Sequence, residues 1–161
     1  MGDLASIRRS EASFREVKRI ARLTEPLIST GRLIYVRPNY LAMLTEAPRR
    51  EKLVVDGDRL YLAEGDAAAH VIDLAAHPAI GALVEAIRGT LAGDIAELRK
   101  NFSVSVIGTP ARWRLVLIPR VPAIAHLLRT ITFEGKGSGV RRLTAIETNG
   151  DEMGMSIGPT S

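Results

Sequence analysis

The chain contains no cysteine, which excludes disulfides, thiolate metal centres and a cysteine nucleophile. That absence is compatible with an oxidising compartment, where a stray thiol is a liability. Aromatic residues are scarce at 4%, too few to stack bases between cationic side chains. No apolar run approaches the roughly 20 residues of a membrane-crossing helix. The first residues, Met1-Gly2-Asp3-Leu4, lack the charged and apolar regions of a secretion leader, so the expectation is a mature form without one. Gly2 and Ser6 formally match an acylation pattern, and a start codon on a trimmed mature protein explains Met-Gly equally well.

What the chain has in quantity is aliphatic. Hydrophobic residues make up 46% of its 161 positions, and the mean hydropathy is +0.08, apolar for one water-facing domain spanning 1–161. Two readings fit: an alanine-rich core, or a second internal surface such as a ligand cavity. The net charge of +4 is spread over small groups, among them Arg8-Arg9, Arg15/Lys18/Arg19/Arg22, Arg49-Arg50/Lys52, Arg99-Lys100 and Arg141-Arg142. Without interleaved aromatics these do not form a nucleic-acid surface. They suit weak attraction to anionic headgroups or an acidic partner.

Hydrophobic periodicity predicts a large sheet interrupted once by helix. Residues 3–12 read as a short helix capped by Asp3, with Leu4, Ile7 and Glu11 along one side. From Phe14 the period becomes two, and strands follow at 27–37, 40–45, 52–55, 59–62 and 68–74, with Asp56-Gly57-Asp58 as a hairpin turn. Pro78 opens a helix whose stripe is Ile80, Leu83, Val84, Ile87 and Leu91; Gly93 ends it, and Asp94 with Glu97 starts a second helix to 101. Strands resume at 102–107, 112–118, 127–134, 140–148 and 151–157, with a turn at Asn149-Gly150-Asp151. So many strands in one short chain must curl, and the amphipathic insert is a natural cover for the open side.

No catalytic constellation emerges. His70, Asp73 and His77 have ligand-like spacing, but a strand through 67–74 puts His70 and Asp73 on opposite faces. Gly135-Lys136-Gly137-Ser138-Gly139 sits between strands, with no helix following to cradle a phosphate. No serine lies in a nucleophile elbow. Arg37 differs: it shares a strand face with Leu33 and Tyr35, so alternation aims its guanidinium inward, unless it snorkels to water from the strand end.

The N-terminal pattern Phe14-Arg15-Glu16, the run Gly31-Arg32-Leu33-Ile34-Tyr35-Val36-Arg37-Pro38-Asn39, a strand closing at Pro48, and Val54-Val55-Asp56-Gly57 resemble LolA, a family of periplasmic carriers of lipoproteins. The stretch from Pro78 through Ala92-Gly93-Asp94 to Leu98, with Trp113-Arg114-Leu115 and Leu117-Ile118-Pro119, resembles the divergent branch that includes members found beside aryl-polyene-type lipid pathways. The resemblance implies an incomplete antiparallel β-barrel under a helical lid, mainly β with α. It also implies an apolar cavity for acyl chains, and a latch to lid carbonyls at Arg37. It implies no enzyme activity, cofactor or metal. The implied partners are an acyl-bearing cargo, an inner-membrane donor complex and an outer-membrane acceptor, met by a monomer. Leu41 and Met43 stand where that family commonly has aromatics, and the chain is shorter than typical carriers, so the cargo need not be a lipoprotein.

The expected cavity walls are Leu33 and Tyr35, Leu41 and Met43, Leu83 and Ile87 on the helix, then Trp113, Leu115 and Leu117, and finally Met153 and Met155. Methionines suit a wall that accepts chains of varied shape. An envelope sensor or interaction domain on the same fold is the alternative, and a small acyl hydrolase a third.

Overall fold

In β1 (Arg9–Arg19), Ala12, Phe14 and Glu16 are buried while Ser13 and Arg15 between them are exposed, the period-two signature of a strand with one covered face. The computed structural model describes residues 9–37 and 39–158. Ten further strands follow the same logic: β2 (Leu27–Val36), β3 (Tyr40–Ala47), β4 (Glu51–Asp56), β5 (Arg59–Glu64), β6 (His70–Asp73), β7 (Phe102–Thr109), β8 (Arg112–Pro119), β9 (Leu128–Lys136), β10 (Gly139–Glu147) and β11 (Glu152–Ile157). Every pairing among them is antiparallel.

They form one open, curved sheet in the order β6-β5-β4-β3-β2-β1-β11-β10-β9-β8-β7. The first and last strands pair at its middle, Phe14 opposite Ile157. The two edges, β6 and β7, are consecutive in sequence. The segment joining them carries a single 3-10 turn (Leu74–Ala76), α1 (Pro78–Ala92) and α2 (Ile95–Leu98). A third short helix, α3 (Pro122–Ala125), links β8 to β9.

The helix boundaries have local causes. Asp73 accepts a hydrogen bond from the Ala75 amide at 3.0 Å, capping the 3-10 turn. Proline stands in the first turn of α1, where its missing amide costs nothing. Gly93 ends α1 with φ of 71°, left-handed backbone that favours glycine. The Asp94 carboxylate then accepts from the Glu97 amide at 3.1 Å and starts α2.

Two corrections to the sequence reading follow. Residues 9–12, expected in a helix, are strand, because Arg9 through Ala12 pair with Val36 through Leu33; residues 3–8 of that expectation lie outside the described ones. The second insert helix is one turn, ending at Leu98 rather than 101, as the chain enters β7.

α1 divides the interior. Its small residues Ala82 and Ala86 share a buried core with Leu98, Trp113, Leu115, Leu117, Ile124, Ile131 and Phe133 against the β7–β10 half. Val84 packs with Tyr35, Leu41, Val55, Leu60 and Leu74 over the β2–β5 half, with Ile80, Ile87 and Leu91 partly buried beside it.

Candidate cavity between the helix and the sheet

Between these two clusters lies a cavity of about 1370 Å³, above the roughly 300–1,000 Å³ usual for pockets that hold drug-sized ligands. Its roof is the α1 stripe Ile80, Leu83, Val84, Ile87 and Leu91. Strand pairing builds its floor in rows. One row runs Tyr35, Leu41, Val55, Leu60 across β2–β5, and the next inward face row runs Leu33, Met43, Leu53, Leu62. Leu143, Ala145, Met153 and Met155 continue the wall across β10 and β11.

Most of the charged residues on its boundary gather where β1, β3, β5 and β10 end and β2, β4, β6 and β11 begin; Glu11, near the start of β1, stands apart from them. Lys18, Arg19, Arg49, Glu51, Lys52, Glu64, His70, Glu147 and Glu152 are exposed there and form a rim of mixed sign. Leu27 and Ile28 stand in the same rim, 51% and 45% exposed. Just inside it, the buried Glu16 carboxylate accepts from the Ser29 hydroxyl at 3.4 Å and faces the Lys18 ammonium at 3.6 Å.

The opposite end carries the β2–β3 and β4–β5 turns, and an arginine of the helix ties them together. Arg88 is 6% exposed. Its Nη1 donates to the Asn39 carbonyl at 3.0 Å and to the Gly57 carbonyl, and its Nη2 donates to Glu85 one helical turn earlier. These charge-assisted bonds hold α1 over the sheet.

Of the residues expected on the walls, the structure brings Leu33, Tyr35, Leu41, Met43, Leu83, Ile87, Met153 and Met155 together around this cavity. Trp113, Leu115 and Leu117 are not among its lining residues. They face inward as expected but are buried in one core cluster with Ala82, Ala86, Leu98 and Ile124; of that half of the sheet, Leu128, Phe133 and Val140 reach the cavity instead. Trp113 is further fixed by its indole N–H, which donates to the Gly137 carbonyl at 2.9 Å.

Arg37 is half-buried and makes no hydrogen bond or ion pair among the described residues. The arginine-to-carbonyl bonds expected from it are made by Arg88, and they run from helix to sheet rather than from sheet to helix. Arg88 was not singled out in the sequence, although a signal existed: it lies four residues after Val84, a lone cation bordering an apolar stripe. The floor residues Val55, Leu60 and Leu62 were also unassigned; their alternation was visible, their place opposite α1 was not.

Tyr35 adds a polar atom to this apolar floor. Its hydroxyl is buried with no hydrogen-bond partner. Burial pushes its pKa up from 10.0, opposed by the positive charges of Arg37 and Arg88. No helix among the described residues is long and apolar enough to cross a membrane.

A model of the family described as "Outer membrane lipoprotein carrier protein LolA-like" matches residues 1–158. No curated protein matches the chain. Among solved structures, the chain is similar to a LolA superfamily protein of Nitrosomonas europaea at 6% identity and a TM-score of 0.47, covering 99% of this chain and 89% of that one. A DUF1329 family protein of Desulfovibrio piger is similar at 7% identity and a TM-score of 0.47, with 99% and 87% covered. MucB of Pseudomonas aeruginosa, solved in complex with MucA, gives 11% identity and a TM-score of 0.48; the match covers 99% of this chain but only 53% of that one.

Proposed function

Because the chain belongs to the LolA-like family of outer-membrane lipoprotein carrier proteins, we propose that it is a periplasmic, non-enzymatic carrier. In this reading it holds the acyl or alkyl part of a lipid or lipoprotein in the cavity beneath α1 and delivers it toward the outer membrane. The observation that carries this reading is the cavity itself: about 1370 Å³, preformed, and walled by leucine, isoleucine, valine and methionine. Leu33, Leu41, Met43, Leu83, Ile87, Met153 and Met155 would contact the chain, while Trp113, Leu115 and Leu117 would only support the fold.

The energetics suit a carrier. Each methylene moved from water into such a cavity gains roughly 0.8 kcal/mol. Measured against a bilayer interior the gain largely cancels, so uptake and release are both accessible. Arg88 takes the lid-holding part: its bonds oppose lifting of α1, and a chain that needs more room must break them.

The test is cargo capture. The chain would be expressed with export to the periplasm, purified without detergent, and its bound lipid extracted and identified by mass spectrometry. The delipidated protein would then be titrated with a fluorescent fatty-acyl probe. Saturable one-site binding, lost on filling the cavity by substitution, is the expected result. Absence of both co-purified lipid and probe binding would overturn the reading.

A further inference from the structure

Glu16 is 6% exposed and lines the cavity on the inward face of β1, two residues after Phe14. Strand pairing sets it between Ser29 of β2 and Met155 of β11. A carboxylate so placed costs free energy unless its charge is matched and its oxygens accept hydrogen bonds. The match here is loose: the Ser29 hydroxyl stands at 3.4 Å and the Lys18 ammonium at 3.6 Å, on a lysine side chain that is 54% exposed. Both contacts fall on Oε1. Oε2 bonds to nothing among the described residues and is not fully enclosed, so it meets the open space. Like charge gathers around it. At this end of the cavity Glu51, Glu64, Glu147, Asp151 and Glu152 join Glu16, against Lys18, Arg19, Arg49 and Lys52, although the chain as a whole carries +4. The cavity mouth is acidic on a basic protein, and an unused acceptor lies just inside it.

We propose that Glu16 is a head-group site for an ammonium: a protonated amine at the start of an alkyl chain donates to Oε2, while the chain runs inward past Met155, Leu33 and Leu83. The inference rests on the carrier reading and deepens it, because it sets the cargo tail-first and gives the mouth a preference among heads. An ammonium brings three donors and the close positive charge that Lys18, at 3.6 Å, supplies only in part. Lys18 contacts Oε1 from the exposed side and leaves Oε2 to the ligand. The acidic lining concentrates such a cation at the entrance before the contact forms. A carboxylate or phosphate joined directly to the chain would meet Oε2 with like charge.

The experiment varies the head on a constant chain. Delipidated full-length protein would be loaded with the neutral fluorophore N-phenyl-1-naphthylamine, which is then displaced at neutral pH with dodecylamine, 1-dodecanol or lauric acid. The amine should bind about tenfold tighter than the alcohol, the scale of one charge-assisted hydrogen bond, and the acid no tighter than the alcohol. Glu16→Gln should bring the amine to within about twofold of the alcohol and leave the alcohol unchanged. Glu152→Gln, at an exposed carboxylate of the same rim, should change amine binding by less than about twofold. Circular dichroism would verify that both variants fold, and the wild-type comparison of heads stays decisive should Glu16→Gln disturb the strand. Equal binding of amine and alcohol by the wild-type protein would overturn the ammonium site while leaving the carrier reading intact. So would an equal loss of both ligands in Glu16→Gln, the mark of a structural role. An equal effect of Glu16→Gln and Glu152→Gln on the amine would assign the preference to the general field of the mouth and sink the site. Tighter binding of the acid than of the amine would overturn the assigned charge. If no alkyl ligand displaces the fluorophore, the carrier reading falls and this inference with it.

Discussion

Arg88 donates from α1 to the carbonyl of Asn39 at 3.0 Å, across 49 positions of sequence, and so makes the helix and the β2–β3 turn one mechanical unit. Arg88→Leu removes that bond and its companion to Gly57; the Gly57 carbonyl loses its arginine donor, while the Asn39 carbonyl keeps only the Gly57 amide at 3.3 Å. The expected loss is about 2–3 kcal/mol in urea unfolding, with faster release of a bound acyl probe to lipid vesicles. Arg37→Leu, which breaks no bond among the described residues, should change stability by less than about 0.5 kcal/mol. Equal effects of the two substitutions would refute the division of roles.

Leu83 projects into the cavity from the roof. Leu83→Trp should occupy the space that a cargo needs, with stability held within about 1 kcal/mol because the added volume enters a void rather than a packed core. Acyl affinity should fall roughly tenfold, equivalent to about two methylenes denied burial. Isothermal titration with a fatty acid reads the affinity and denaturant titration the stability.

Trp113 pairs with Gly135 across β8 and β9, and a Cβ at Gly135 would collide with the indole and with the Gly139 carbonyl. Gly135→Val should therefore destabilise by about 1–3 kcal/mol through overpacking. Trp113 is the single tryptophan of the chain and 4% exposed. Native emission should be blue-shifted and should move to the red in this variant. An unchanged spectrum would show that the strands separate to admit the side chain.

The raised pKa of Tyr35 sets an alkaline limit. Burial holds its hydroxyl protonated in the folded state while the unfolded chain begins to ionise near 10.0, with Arg37 and Arg88 only partly offsetting the shift. Above that pH the unfolded state binds fewer protons, so stability falls as pH rises. Tyr35→Phe should flatten this fall. Urea midpoints at pH 9 and pH 11 check it, and parallel losses in both proteins would assign the decline to other groups.

Strand alternation made most of the sheet legible before any coordinates, because burial on one face of a curved sheet writes period two directly into the residues. Leu33, Tyr35, Leu41 and Met43 were placed on the correct face for that reason. The same rule put Trp113, Leu115 and Leu117 inward, also correctly, yet it says only which face a side chain takes. What covers that face is a tertiary fact, and here it is Ala82 and Ala86, whose small side chains let α1 settle on that half of the sheet. At residues 9–12, spacing suited a helix, but pairing with β2 prevailed over local preference. Arg88 was missed because a charge in a helix is ordinarily solvated; its partners are backbone carbonyls, which carry no side-chain signature in sequence.

The meeting of β1 and β11 at the middle of the sheet has a consequence for how the molecule comes into being. Each half is a succession of neighbouring hairpins that can zip up locally and quickly, whereas the seam joins the opposite ends of the chain and must wait on a long closure. The cavity wall crosses that seam, since Tyr35 and Leu41 lie on one side of it and Met153 and Met155 on the other. Until the last strand arrives there is no enclosed space, so the capacity to hold a greasy chain is acquired late and all at once.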